Sequence, residues 1–168
     1  MKRTVTLNGN IQTLVGREVK VGQKAPEFMA TDLQMKPYQY AGKKGKVTVI
    51  SSVTSLDTAV CDMETRRFNE AAASMGDGIE ILTISKDLPF AQRRWCGAAR
   101  IDKVQVVSDY RDSSFGKSYG VLIKESDLLA RCVFVIDTNN VVRYIQLVPE
   151  ISQEPDYEAV LKAVKELL

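Results

Sequence analysis

Three cysteines and no histidine set the range of chemistry open to this chain. Without histidine, Cys–His and Ser–His–Asp catalysis are excluded and the usual zinc sets lack their ligands. Proton transfer must then rest on carboxylates, lysine, tyrosine, cysteine or a shifted pKa. The spacings Cys61-x34-Cys96 and Cys96-x35-Cys132 contain no CxxC, so a metal knuckle is not expected. An odd count suits a cytosolic thiol protein better than a secreted disulfide framework, and its simplest arithmetic is one pair and one spare.

Cys61 has a position that could activate it. Thr58-x-x-Cys61 resembles a capping box in which cysteine stands where Glu or Gln is usual. With Thr58 as N-cap, Cys61 falls at the third helical position, where amide N–H groups lack intrahelical partners and the helix dipole favours an anion. A thiol of ordinary pKa, ~8.5, is only a few per cent thiolate at neutral pH, so such a site matters. The competing reading is packing, because Cys61, Phe68, Ala72 and Met75 share one apolar helix face and free cysteine is often buried. The helix-start position favours the reactive reading. Asp62 and Glu64 oppose a thiolate, so a cation is required, and Arg66, Arg67 and Arg131 are the candidates. Arg66 and Arg67 also suit a solvated helix face. Arg131 opens the apolar run Arg131-Cys-Val-Phe-Val-Ile136, where it either pairs in the interior or faces water at a strand edge.

Cys61-x5-Arg67 also has the spacing of cysteine phosphatases and arsenate reductases, which wrap an oxyanion in backbone amides. Here the intervening Asp-Met-Glu-Thr-Arg has no glycine and two carboxylates that repel phosphate. The reading is disfavoured on that ground.

These residues need elements to hold them. TVTLNGNIQTLVG reads as a hairpin turning at Asn8-Gly9. The stretch 17–45 is turn-rich, with short strands near 28–31 and 38–40. Val47–Val53 is a β-branched strand, followed by a helix from about Thr58 to Met75 that Gly76 and Gly78 stop. Ile79–Ser85 is the next strand. Asp87 is expected to N-cap a helix Leu88–Cys96, with Gly97 just past its end. A strand at Val104–Val107, a short helix at Ser113–Tyr119, a second hairpin of Arg131–Ile136 with Val141–Val148, and a last helix Tyr157–Leu168 complete the order. The order predicts an α/β protein: a thioredoxin-like fold with a mixed, mostly parallel central sheet flanked by helices, and an N-terminal β-hairpin.

With 168 residues, no repeat and no linker, one domain over 1–168 is expected. The net charge of +2 comes from scattered Lys and Arg, so no nucleic-acid partner is indicated. No apolar run reaches the roughly 18 residues of a membrane span, and MKRTVTLNGN lacks the apolar core of a secretory signal. No membrane association and a cytoplasmic location are the expectation.

Longer segments carry a family likeness. Thr58-Ala-Val-Cys61 followed by Asp-Met-Glu-Thr-Arg-Arg-Phe-Asn-Glu70 resembles the peroxidatic segment of peroxiredoxins. Lys86-Asp-Leu-Pro-Phe-Ala-Gln-Arg-Arg-Trp-Cys96-Gly97 is similar to the resolving-cysteine helix of their atypical two-cysteine thiol peroxidase subfamily, and is the more specific match. Leu128-Leu-Ala-Arg131 and Glu154-Pro-Asp-Tyr157 resemble the same subfamily, so the likeness spans the chain. It implies Cys61 as peroxidatic thiol, Thr58 as the hydroxyl at thiolate and peroxide, Arg131 as the guanidinium beside both, and Cys96 as the resolving thiol of an intrachain disulfide. It further implies hydrogen peroxide and organic hydroperoxides as substrates, recycling by thioredoxin or a similar dithiol reductant, and a homodimer without metal or prosthetic group. One departure stands out: Thr54 occupies the place of a proline that shields the thiolate. Cys132 has no role in the pattern and is expected to be a core thiol. The rival from another class is a non-catalytic thioredoxin-fold binding module.

Overall fold

A computed structural model describes residues 2–42 and 45–168. Lys43 and Lys44, in the stretch read as turn-rich, lie outside the described residues. β1 (Arg3–Leu7) and β2 (Asn10–Val15) form the expected hairpin, paired from Arg3↔Leu14 to Leu7↔Asn10. Asn8 and Gly9 both take positive φ, 50° and 83°, the backbone that a two-residue hairpin turn demands. β3 (Phe28–Thr31) and β4 (Pro37–Tyr40) form a second hairpin.

The central region alternates strand and helix. It runs β5 (Val47–Ser52), α1 (Ala59–Met75), β6 (Ile79–Ser85), α2 (Pro89–Ala99), β7 (Val104–Ser108) and α3 (Ser114–Tyr119). After β8 (Leu122–Ile123) come the hairpin β9 (Cys132–Ile136) and β10 (Val142–Leu147), then α4 (Tyr157–Lys165). The main sheet has seven strands in the order β10-β9-β5-β6-β7-β3-β4. It is mixed, as expected, with two of its six strand pairings parallel and four antiparallel. Its parallel part is the central trio β5-β6-β7, and antiparallel pairs extend it on both sides.

Strand alternation divides the interior into two cores. On one face Ile50, Leu82, Ile84, Val107, Cys132 and Phe134 pack with α3 and the N-terminal hairpin. On the other, Val49, Ile81, Val106, Val133 and Val135 pack under α1, α2 and α4 with Cys61 and Cys96. Each fully buried aliphatic or aromatic side chain contributes roughly 1.5–3 kcal/mol. On this second face the carboxyl ends of the parallel strands turn polar, with Ser51, Thr83, Ser85 and Ser108 all buried. A polar row at the C-terminal ends of parallel strands is where open α/β sheets place their chemistry.

Three expectations need correction. Asp87 does not cap α2: Leu88 holds the cap position without a side-chain bond, and the Asp87 carboxylate turns toward other donors. Gly97 lies inside α2, which continues to Ala99 and stops at Arg100, in the left-handed region at φ 56°. β8 was not anticipated, because a two-residue strand has no periodicity to read; it joins β2 to make a separate three-stranded sheet.

α4 follows an Asp156 cap, whose side chain accepts from the Ala159 amide at 3.1 Å. Val160 and Val164 are buried, and Tyr157 meets Phe68 of α1 edge-on at 5.6 Å. Lys162 and Lys165 in the last turn suit the negative end of the helix dipole.

Candidate active site

β5 ends in a loop that turns into α1, and Thr58 is the N-cap, with extended backbone at φ −88°, ψ 146°. Its Oγ1 accepts from the Cys61 amide at 3.4 Å, the capping geometry expected from the sequence. The hydroxyl proton goes the other way, to the Ser55 carbonyl at 2.9 Å. Cys61 is fully buried in the first turn of α1.

The cation is Arg131, immediately before β9 and 1% exposed. Its Nη1 donates to Cys61 Sγ at 3.3 Å and to Glu64 Oε2 at 2.6 Å. Its Nε and Nη2 both donate to the Ile151 carbonyl, at 3.0 and 2.7 Å. A buried arginine persists only when its donors are satisfied, and here one edge of the fork is locked on backbone while the other serves sulfur and carboxylate. Burial opposes its charge, but Cys61 and Glu64 outweigh it and raise its pKa further. Glu64 is itself wholly buried and also accepts from Ser51 Oγ at 3.0 Å. Burial raises its carboxyl above the usual range, against the pull of Arg131 and Ser51. The Cys61 sulfur thus sits beside a guanidinium shared with a carboxylate.

The other two cations do not reach the thiol. Arg66 pairs with Asp62 and lies 5.7 Å from the Trp95 ring centroid, while Arg67 lies over Tyr157 at 4.7 Å. Residues 61–67 are helical throughout, so no anion-wrapping loop exists there, and the phosphatase-like reading of Cys61-x5-Arg67 is overturned. Asp62, read as an opponent of the thiolate, is occupied by Arg66 and by the Trp95 indole N–H at 3.1 Å. That contact joins the first turn of α1 to the residue preceding Cys96.

Cys96 is buried in the same apolar core as Cys61, and all three cysteines are free thiols. Burial pushes the Cys96 thiol up to about 11. Cys132 lies in the core on the opposite face of the sheet, fully enclosed, and burial raises its thiol strongly. It packs as expected. Thr54, standing where proline was anticipated, is 8% exposed and donates its hydroxyl to the Leu129 carbonyl at 2.9 Å. It ties the loop before α1 to the segment that leads into Arg131.

A profile of the Redoxin family matches residues 20–161. The chain belongs to this family. It is 53% identical over 164 residues to the thiol peroxidase of Bacillus subtilis, covering 98% of each chain. With the thiol peroxidase of Halalkalibacterium halodurans the identity is 52% over 165 residues, covering 98% of this chain and 99% of the other. The crystal structure of a peroxiredoxin-like protein from Aquifex aeolicus superimposes with a TM-score of 0.92 at 47% identity, covering 99% of this chain and 98% of that one. The fold is therefore thioredoxin-like, and the chain is a peroxiredoxin of the thiol peroxidase type.

Sequence reasoning missed Glu64 as a partner of the guanidinium. It was read only as a charge opposing the thiolate. The available signal was its place three residues after Cys61, which sets both on one helix face. A carboxylate on the buried face of a helix needs a cation, and Arg131 was already the unexplained one.

Proposed function

We propose that this peroxiredoxin reduces hydrogen peroxide and organic hydroperoxides with Cys61 as nucleophile, Thr58 and Arg131 at the reacting oxygens, and Cys96 as resolving thiol. The observation that carries the reading is the Arg131 Nη1 contact to Cys61 Sγ at 3.3 Å, at a capped helix start. Both features set positive charge against the sulfur that attacks. The Cys61 thiolate attacks the hydroxyl oxygen of the hydroperoxide. An S–O bond forms and the O–O bond breaks, and its electron pair leaves on the second oxygen. That oxygen takes up the proton released by thiol ionisation, giving water or an alcohol. Arg131 offers a fixed positive charge where the negative charge moves, at no cost in reorganisation.

Cys61 is left as a sulfenic acid. The Cys96 sulfur then attacks it, forming the S–S bond as water leaves with the Cys96 proton. A disulfide needs Cα atoms roughly 4.4–6.8 Å apart, so two helical cysteines meet through local opening of α1 and α2. A dithiol protein of the thioredoxin type then reduces the disulfide by exchange. In this reading the protein works as a homodimer of one-domain chains in the cytoplasm. No helix among the described residues is long and apolar enough to cross a membrane.

The test follows loss of hydroperoxide in the presence of a thioredoxin and its reductase. Wild type should turn over, Cys61→Ser should not, and Cys96→Ser should stop at the sulfenic acid. Peroxide consumption by wild type no faster than by free cysteine would support the non-catalytic binding module instead.

A further inference from the structure

Asp87 sits between β6 and α2, where a side chain would ordinarily cap the helix, yet it is aimed elsewhere. Its Oδ1 accepts from Ser55 Oγ at 2.7 Å, and its Oδ2 from the Leu56 amide at 2.8 Å and from Ser85 Oγ at 2.7 Å. All three partners act as donors, a set that an ionised carboxylate satisfies and an amide does not. Its own backbone is pinned to the sheet, because Ser108 of β7 donates its hydroxyl to the Asp87 carbonyl. The anchor is rigid and the anchored segment is a loop, the turn between β5 and α1.

That turn decides what the Thr58 hydroxyl does. The Ser55 carbonyl accepts both the Thr58 amide at 3.1 Å and the Thr58 hydroxyl at 2.9 Å. A hydroxyl has one proton and two lone pairs. With the proton committed to Ser55, Thr58 Oγ1 is an acceptor only. One lone pair takes the Cys61 amide, and the second remains for a hydroperoxide O–H. If the Ser55 carbonyl moved, the hydroxyl could rotate and offer its proton to the sulfur or the substrate instead.

We propose that Asp87 is a positioning residue for peroxide reduction, acting through Ser55 to fix the Thr58 hydroxyl as the acceptor of the substrate O–H. The inference rests on the peroxidase reading and adds to it a group that touches neither sulfur nor substrate. Asp87 also lies next to Leu88, the cap residue of α2, so the same carboxylate joins the Cys61 loop to the base of the Cys96 helix.

The experiment compares single-turnover oxidation of Cys61 by hydroperoxide, read by quenched-flow mass spectrometry, in wild type, Asp87→Asn, Thr58→Val and the double variant. Asp87→Asn should slow oxidation about tenfold, the rate equivalent of one hydrogen bond's net worth. Alkylation of Cys61 by iodoacetamide, which presents no O–H, should change less than about twofold, because only the hydroxyl geometry is altered. The decisive result is the cycle: in a Thr58→Val background, Asp87→Asn should cost nothing further. If Asp87→Asn does not fold, Ser55→Ala is judged by the same cycle. Additive losses, equal losses in alkylation and oxidation, or no loss would overturn the proposal. A wild type no faster than free thiol would instead overturn the peroxidase reading on which it rests.

Discussion

Arg131 Nη1 lies 3.3 Å from Cys61 Sγ, although the two residues are 70 positions apart in the chain. The contact exists because β9 pairs with β5, with Ser52 opposite Cys132, so the residue before β9 falls beside the loop that leads into α1. Glu64, one turn along α1 from Cys61, completes the arrangement by holding the same nitrogen at 2.6 Å.

Removing Arg131 should therefore damage stability as well as chemistry. Arg131→Met leaves Glu64 buried without its cation, a change that typically costs about 3–5 kcal/mol. The double variant Arg131→Met/Glu64→Gln should recover part of that stability in denaturant unfolding while peroxide reduction stays lost. Full recovery of activity in the double variant would contradict the role assigned to the guanidinium.

Docking of α2 should depend on pH through Cys96. Burial raises its thiol from 9.0 to about 11, so the folded helix favours the neutral form. A raised folded value means that this contribution is intact below about 9 and is lost as pH climbs through about 11. In urea titrations, stability should fall more steeply across that window in wild type than in Cys96→Ser. Identical profiles for the two proteins would count against the linkage.

The first turn of α1 and the residue before Cys96 are joined by the indole of Trp95 on Asp62, at 3.1 Å. Trp95→Phe keeps the ring and loses the N–H, weakening the join by about 0.5–1.5 kcal/mol. Because Cys96 must leave its packed position to reach Cys61, disulfide formation after sulfenic acid should become faster in this variant. Stopped-flow separation of the two phases would show it, and an unchanged second phase would contradict it.

Glu150 supports the site from outside. It accepts from Ser152 Oγ at 2.6 Å, from the Ser152 amide at 2.8 Å, and from the amides of Gly9 at 2.9 Å and Asn8 at 3.1 Å. These bonds lower its carboxyl from 4.5 to about 2 and clasp the β1–β2 turn to the segment whose Ile151 carbonyl holds Arg131. A lowered folded value means that the stabilisation is present above about 4.5 and disappears as pH falls through about 2. The stability gap between wild type and Glu150→Gln should therefore narrow over that range in urea titrations. A gap independent of pH would show that the clasp does not depend on ionised Glu150.

What could be read from the sequence was local. Thr58 as the cap of Cys61 is a three-residue relationship, and the β-branched run of β5, the Asn8-Gly9 turn and the apolar face of α1 are equally short-range. Arg131 could be flagged as unexplained but not assigned from residues alone, because its partner depends on strand pairing. The family likeness pointed to Arg131. Asp87 was misread because an acidic residue before a helix usually caps it, and nothing local reveals that a loop 31 residues upstream competes for its oxygens. Thr54 shows the converse. Its departure from proline was visible, but its hydroxyl bond to the Leu129 carbonyl, 75 positions away, was not.

The most direct test of the account is the disulfide formed after one equivalent of hydroperoxide, mapped by mass spectrometry in wild type and in Cys61→Ser. A Cys61–Cys96 bond should form promptly in wild type and not in the variant, with Cys132 still a free thiol in its separate core. A Cys61–Cys132 bond, or reduced thiols after the peroxide is added, would contradict it.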